Sequence, residues 1–237
     1  AGGATAGVRD GRLVLVHAGG EHDLGDVAAM PLAAGGHSQF NVANLATAAL
    51  AAAGLGVPPA TIAGVFASFG ANPEDNAGRL MRYELGGLTL IVDFAHNPAA
   101  LAGLADFAQH LRGKGRLALL LGQAGNREDA DIDRLAAVAA RARPDLVVVK
   151  ELLSYLRGRE AGEVPALLEA ALARAGVPAA AVARAADEDA AVQLALSWAR
   201  RGDVLVLPLH SRDGRAHALA LIERLRREGW KAGQPVP

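Results

Sequence analysis

The sequence predicts an α/β protein whose larger part is a doubly wound, mostly parallel sheet. Two observations carry this. From residue 88 onward, short apolar runs (LTLIVDF, RLALLL, DLVVV, DVLVL) alternate with Ala- and Leu-rich segments of helical period. The runs are apolar throughout, as in strands covered by helices on both faces. Right-handed crossovers then give a Rossmann-like domain, whose ligands sit at the carboxyl ends of the strands.

The elements follow in order. Residues 12–17 read as a short strand, followed by a Gly- and His-containing stretch to Gly36. NVANLATAALAAA, residues 41–53, is a strong helix ended by Gly54 and Gly56. Pro58-Pro59 opens a second helix with Ile62, Val65, Phe66 and Phe69 on one face. The polar stretch 72–78 reads as a linker, placing a domain boundary near residues 76–82. LMRYEL, Gly86-Gly87 and LTLIVDF form a hairpin. Helix 98–111 precedes strand 116–121, helix 131–141 precedes strand 145–149, and helix 164–175 precedes a weak strand at 181–184. Helix 187–200 precedes strand 203–207, and a last helix spans about 215–228.

Composition excludes several function classes. Lys+Arg number 24 against 25 Asp+Glu, a net charge of -1, so no electrostatic grip on nucleic acid or an anionic membrane is expected. Cysteine is absent, which removes disulfides, thiolate metal sites and cysteine nucleophiles and fits a reducing, cytoplasmic setting. No apolar run is long enough to span a bilayer, and no secretory leader is read. Aromatics are only 4%, so Ala, Leu and Val must build the core. The first residue is Ala1, from which the chain is expected to begin inside a longer protein.

Several motifs could carry chemistry. Asp93 ends a strand, and Ala95-His96-Asn97-Pro98 turns into a helix. The Asp could accept hydrogen bonds from a ribose and the His could meet a base, or the segment could be a capped turn with Asn97 as N-cap. Asn41 and Asn44, three apart, could present amides to an adenine edge, or could cap a helix and face solvent. Arg79 closes the linker and could reach a phosphate or lie solvated. The loop Gly122-Gln-Ala-Gly125-Asn-Arg127 could cradle an anion or make a tight turn. Lys150-Glu151 and Arg157-Gly-Arg159 through Glu163 place alternating charges at the same carboxyl rim, suited to a ligand with amino and carboxylate groups or to solvent. His210, Ser211 and Asp213 are neighbours in sequence, which does not make a triad. There is no HExxH spacing, no GxGxxG fingerprint and no GxxxxGK[ST] loop, so no zinc site, no dinucleotide site and no P-loop lies within this chain.

Together these segments resemble the Mur ligase superfamily of ATP-dependent amide-bond-forming enzymes. FNVANLATAALAAAGLG resembles the Asn-containing helix at the end of the family's central ATPase domain, and NAGRLMRYELGGLTLIVDFAHNPAAL resembles the segment that opens its C-terminal domain. Phe94 stands in place of the usual Tyr. GNREDADI and KELLSYLRGREAGE point within the superfamily to the cyanophycin-synthetase family, with GNRE standing where GDRx is typical. The resemblance implies that residues 1–78 are the tail of the central ATP-binding domain and 79–237 the whole C-terminal domain. It implies a nucleotide site shared by the two, with Asn41 and Asn44 on adenine, Arg79 on phosphate, and Asp93, His96 and Asn97 at ribose and base. Arg127, Arg157, Arg159, Glu163 and His210 become candidates for the amino-acid or peptide substrate. ATP and Mg²⁺ are the implied cofactors, with the P-loop and the metal ligands in an upstream ATPase domain, and a homo-oligomer is compatible with the reading. The implied reaction forms an acyl phosphate that an amine then attacks. The rival expectation is a non-catalytic nucleotide- or partner-binding module on the same scaffold.

Overall fold

The computed structural model describes residues 3–237, in two units, one ending at Ala77 and one running Gly78–Pro237. The first is built on two tight turns. Asp10-Gly11 and Ala18-Gly19 all take positive φ (48°, 77°, 50° and 78°), the mirror-image turn that matches strand twist. They join β1 (Thr5–Arg9), β2 (Arg12–His17) and β3 (Gly20–Asp26) into an antiparallel sheet in the order β1-β2-β3. Only β2 is legible as apolar alternation. β1 is nearly all exposed, and β3 (GEHDLGD) buries only Leu24 and is otherwise held by ladder bonds and by ion pairs such as Arg9–Glu21 and Arg12–Asp23.

Helix α1 (Gln39–Gly54) and α2 (Pro59–Phe66) pack with this sheet around Leu13, Leu15, Leu24, Leu45 and Ile62. The expected apolar face of the second helix is half right. Ile62 and Phe66 are buried, whereas Val65, off their face of the helix, is 50% exposed, and Phe69, in the turn beyond the helix end at Phe66, is 38% exposed. The stretch read as linker holds a short 3₁₀ turn, Pro73–Asn76, closed by a reciprocal Asn72–Asp75 capping box.

The second unit is a six-stranded sheet in the order β4-β5-β9-β6-β7-β8. β4 (Met81–Leu85) and β5 (Leu88–Asp93) form the expected hairpin through Gly86-Gly87, and β4 is the antiparallel member. A Cβ on Gly86 would lie 2.6 Å from the Trp230 carbonyl oxygen, so that turn needs glycine for space as well as for its positive φ. The other pairs are parallel: β5 with β9 (Val204–Pro208), β9 with β6 (Leu117–Leu121), β6 with β7 (Leu146–Lys150), and β7 with β8 (Val182–Ala185).

Helices α3 (Pro98–Arg112), α4 (Asp129–Arg141) and α5 (Glu163–Arg174) pack in series beside one face. Helices α6 (Glu188–Trp198) and α7 (Arg212–Arg227) cover the other, over Leu90, Val92, Leu120, Val148, Leu205 and Leu207. This is the doubly wound α/β architecture that the sequence predicts. β9 returns between β5 and β6, so neighbouring strands send their helices to opposite faces. That opens a crevice at their carboxyl ends. Among the described residues no helix is long and apolar enough to cross a membrane.

Candidate functional site

The carboxyl rim of β5, β9, β6 and β7 encloses a cleft of ≈ 150 Å³, lined by Phe94, His96, Gln123, Arg127, Tyr155, Arg157 and His210 among others. No carboxylate lines it. Its lining comes from strand exits spread between positions 94 and 210, and strand order alone brings them together.

The β5 exit is held in detail. Asp93 is buried, and its Oδ2 accepts the Leu80 N–H (2.7 Å) while Oδ1 accepts that of Ala95 (2.6 Å). Burial pushes the Asp93 carboxyl up, and those N–H groups and the Arg79 charge offset part of that rise. Both oxygens therefore act structurally, and Oδ2 holds Leu80, a non-glycine residue at φ 47°, beside Arg79. Asn97 caps α3, its Oδ1 accepting the Ala100 N–H at 2.9 Å. His96 Nδ1 lies 3.1 Å from the Phe94 carbonyl oxygen and donates to it.

Aromatic faces order the rest. The exposed Arg79 guanidinium lies 5.0 Å over the Phe94 ring, and Phe94 contacts the rings of His96 (5.1 Å) and His210 (5.8 Å, edge-on). Across the cleft Arg157, at φ 44°, lies 5.4 Å over Tyr155. Arg127 and Arg157 are exposed, and among the described residues neither guanidinium has an ion-pair partner. Arg159 and Glu163 do something else. Arg159 pairs with Asp129 (2.7 Å) and Glu163 (2.8 Å) and donates to the carbonyls of Gly125 and Arg127, bracing one loop on the other outside the cleft lining. The Gly122–Gly125 loop is a packing turn. A Cβ on Gly125 would lie 1.9 Å from the Leu156 carbonyl oxygen, and the Gly125 N–H already donates to the Tyr155 carbonyl.

Lys150, expected as a rim charge, is instead buried beneath the rim. Its Nζ bonds Glu188 and the Pro208 carbonyl. Glu188 also accepts the N–H groups of His210 (2.7 Å) and Ser211 (2.9 Å) and the Ser211 hydroxyl. Burial opposes its charge, but Lys150 and these donors hold the carboxyl at about 2. His210 is buried, and its Nε2 donates to the Ala95 carbonyl at 2.9 Å. Burial first, then the Lys150 charge, lowers its pKa to about 4, so the ring is neutral. Glu188 and Gln123 escape sequence reasoning, since nothing in their local pattern marks them. Lys150 does leave a signal: in a strand it shares a face with Leu146 and Val148, both buried under α6 and α7.

In the first unit, Asn41 is buried within α1 rather than capping it, and its Nδ2 donates to the Leu32 carbonyl (3.0 Å). Asn44 is exposed, with its Nδ2 3.4 Å from Asn41 Oδ1. Among the described residues no group of three or more His, Asp or Glu side chains could hold a metal ion.

Known proteins resemble this chain over most of its length. It is 31% identical over 208 residues to a cyanophycin synthetase of Trichormus variabilis, covering 87% of this chain and 23% of that protein. It is 32% identical to a UDP-N-acetylmuramoyl-L-alanyl-D-glutamate--2,6-diaminopimelate ligase of Corynebacterium efficiens, covering 71% of this chain and 31% of the relative. The chain thus spans about a quarter to a third of these relatives. Among solved structures, E. coli FolC in complex with ADP superposes with a TM-score of 0.64 at 23% identity, over 95% of this chain and 47% of that one, which shows the shared fold. The family model "Mur ligase, glutamate ligase domain" matches residues 78–208, and the chain belongs to that family.

Proposed function

We propose that the chain works within a longer ATP-dependent carboxylate–amine ligase of the cyanophycin-synthetase type. The observation that carries this reading is the cleft itself: among the described residues it holds two guanidiniums without an ion-pair partner, two imidazoles and no carboxylate, at the carboxyl rim of a doubly wound sheet. Such a cleft suits the carboxylate of an incoming amino acid. The limited share of its relatives that the chain spans supports an upstream ATPase domain as partner.

In this reading a carboxylate oxygen of the acceptor attacks the γ-phosphorus of ATP, giving an acyl phosphate and ADP. The amine of the amino acid then attacks the acyl carbon. The tetrahedral intermediate expels inorganic phosphate, and the nitrogen loses its proton. Mg²⁺ would neutralise charge on the phosphates and would be held by residues outside this chain. This chain's own residues orient the reactants. Arg127 and Arg157 hold the amino-acid carboxylate, Arg79 swings from Phe94 to a phosphate, and His96 and Asn97 meet the nucleoside. Asp93 serves that site by shaping the backbone around Leu80, and its oxygens keep lone pairs for a ribose hydroxyl. Within the first unit, Asn41 holds the amide of the exposed Asn44. Arg159 and Glu163 support the substrate loop from behind.

The test is phosphate release by the full-length protein with ATP and single amino acids, in wild type and Arg157→Ala. Amino-acid-dependent release with a KM raised about tenfold or more in the variant is expected, the loss of one charge-assisted contact. Nucleotide binding without turnover on any amino acid would leave a binding module instead.

A further inference from the structure

The buried Lys150–Glu188 pair has no part in the chemistry just described, yet it lies directly under the rim that carries it. Residues 208–211, where β9 leaves the sheet, have their polar groups bound from below. Lys150 takes the Pro208 carbonyl, and Glu188 takes the His210 N–H, the Ser211 N–H and the Ser211 hydroxyl. A Cβ on Gly214 would lie 2.5 Å from Glu188 Oε2, so the start of α7 closes down on the same carboxylate.

The imidazole above this anchor points sideways to the neighbouring strand exit. Leu209 N–H donates to the Asp93 carbonyl at 2.8 Å, the last ladder bond. Beyond it, His210 Nε2 reaches the Ala95 carbonyl at 2.9 Å, with the Phe94 ring edge-on at 5.8 Å. The 93–97 turn is thereby bound from three strands: by Asp93 of β5 on the Ala95 N–H, by Gln123 after β6 on the His96 carbonyl (3.2 Å), and by His210 after β9 on the Ala95 carbonyl.

We propose that His210 is a positioning residue: anchored by Glu188 and Lys150, it clamps the Ala95 carbonyl and so presets the turn that presents His96 and Asn97 to the nucleotide. This assigns His210 to the nucleotide side through the backbone, rather than to direct contact with the amino acid. It rests on the nucleotide reading given under Proposed function.

The experiment is calorimetric titration of the full-length protein with ADP, for wild type, His210→Phe and His210→Gln. Phe keeps the ring against Phe94 and loses the donor, while Gln keeps a donor at similar reach. A Kd raised about tenfold in H210F and restored to within about threefold in H210Q is expected, the span of one buried hydrogen bond. A merely structural role would lower the thermal midpoint and the binding-competent fraction without moving the Kd of the folded protein. Wild type that binds ADP with H210F unchanged overturns the positioning role alone. H210Q as weak as H210F overturns it too, since the donor would then not be what matters. Wild type that does not bind ADP overturns the nucleotide reading, and the positioning role with it.

Discussion

The two sides of the cleft are held in opposite ways. On the β5–β9 side, a buried Lys150–Glu188 pair and a neutral buried His210 fix the strand exits from inside the sheet. On the side of residues 124–129 and 151–163, the exposed pairs of Arg159 with Asp129 and Glu163, plus one tight glycine, hold loop to loop from outside. The difference teaches where rigidity was placed. Breaking a buried pair leaves an uncompensated charge, while a surface pair is screened by water and salt. The β5–β9 side is thus built to stay put, and the side of the two loops to adjust.

The sharpest way to break this comparison is Glu188→Gln. It strands a buried ammonium and should cost about 3–5 kcal/mol in urea unfolding. A loss below about 1 kcal/mol, the range of a surface pair, would mean the pair is not the anchor described. The pH dependence sharpens the same side. His210 is held near 4 in the fold, below its unfolded value of 6.5, so the unfolded chain takes up the proton first. Stability is full above about pH 6.5 and falls as pH drops toward 4, by at most about 3 kcal/mol. The drop in unfolding free energy between about pH 7 and about pH 5 should be larger in wild type than in H210F. Glu188, held at about 2 against an ordinary value of 4.5, contributes fully above about pH 4.5 and loses that contribution progressively as pH falls toward 2.

On the adjustable side the effects shrink. Gly125→Ala drives a Cβ into the Leu156 carbonyl oxygen and should cost about 1–3 kcal/mol, chiefly by displacing the loop that carries Arg157. Its signature is a raised amino-acid KM with ADP affinity intact, and loss of both together would erase the distinction between the two sides. Arg159→Ala should cost no more than about 1 kcal/mol, with the difference shrinking in high salt. A salt-insensitive loss would show that Arg159 acts through packing or through its bonds to the Gly125 and Arg127 carbonyls.

Much of the larger unit was legible from one dimension. Strands buried on both faces must be apolar throughout, and the helices between them carry their own period, so LALLL, LVVVK and VLVLP announce themselves. The cap at Asn97 and the hairpin at Gly86-Gly87 are local chemistry and were equally readable. β1 and β3 were not, because edge strands stabilised by ladder bonds and surface ion pairs need no apolar alternation.

Side-chain roles at the site divide along the same line. Residue types and spacing marked the Asp93–Asn97 turn and the arginine-rich loop, since turns, caps and charges are properties of neighbours in sequence. Which arginine is available and which is a brace, why Lys150 points inward, and what Glu188 and Gln123 hold depended on strand order. Only the return of β9 between β5 and β6 sets His210 beside Ala95, 115 positions away, and places the Lys150 ammonium on a carboxylate 38 positions further on.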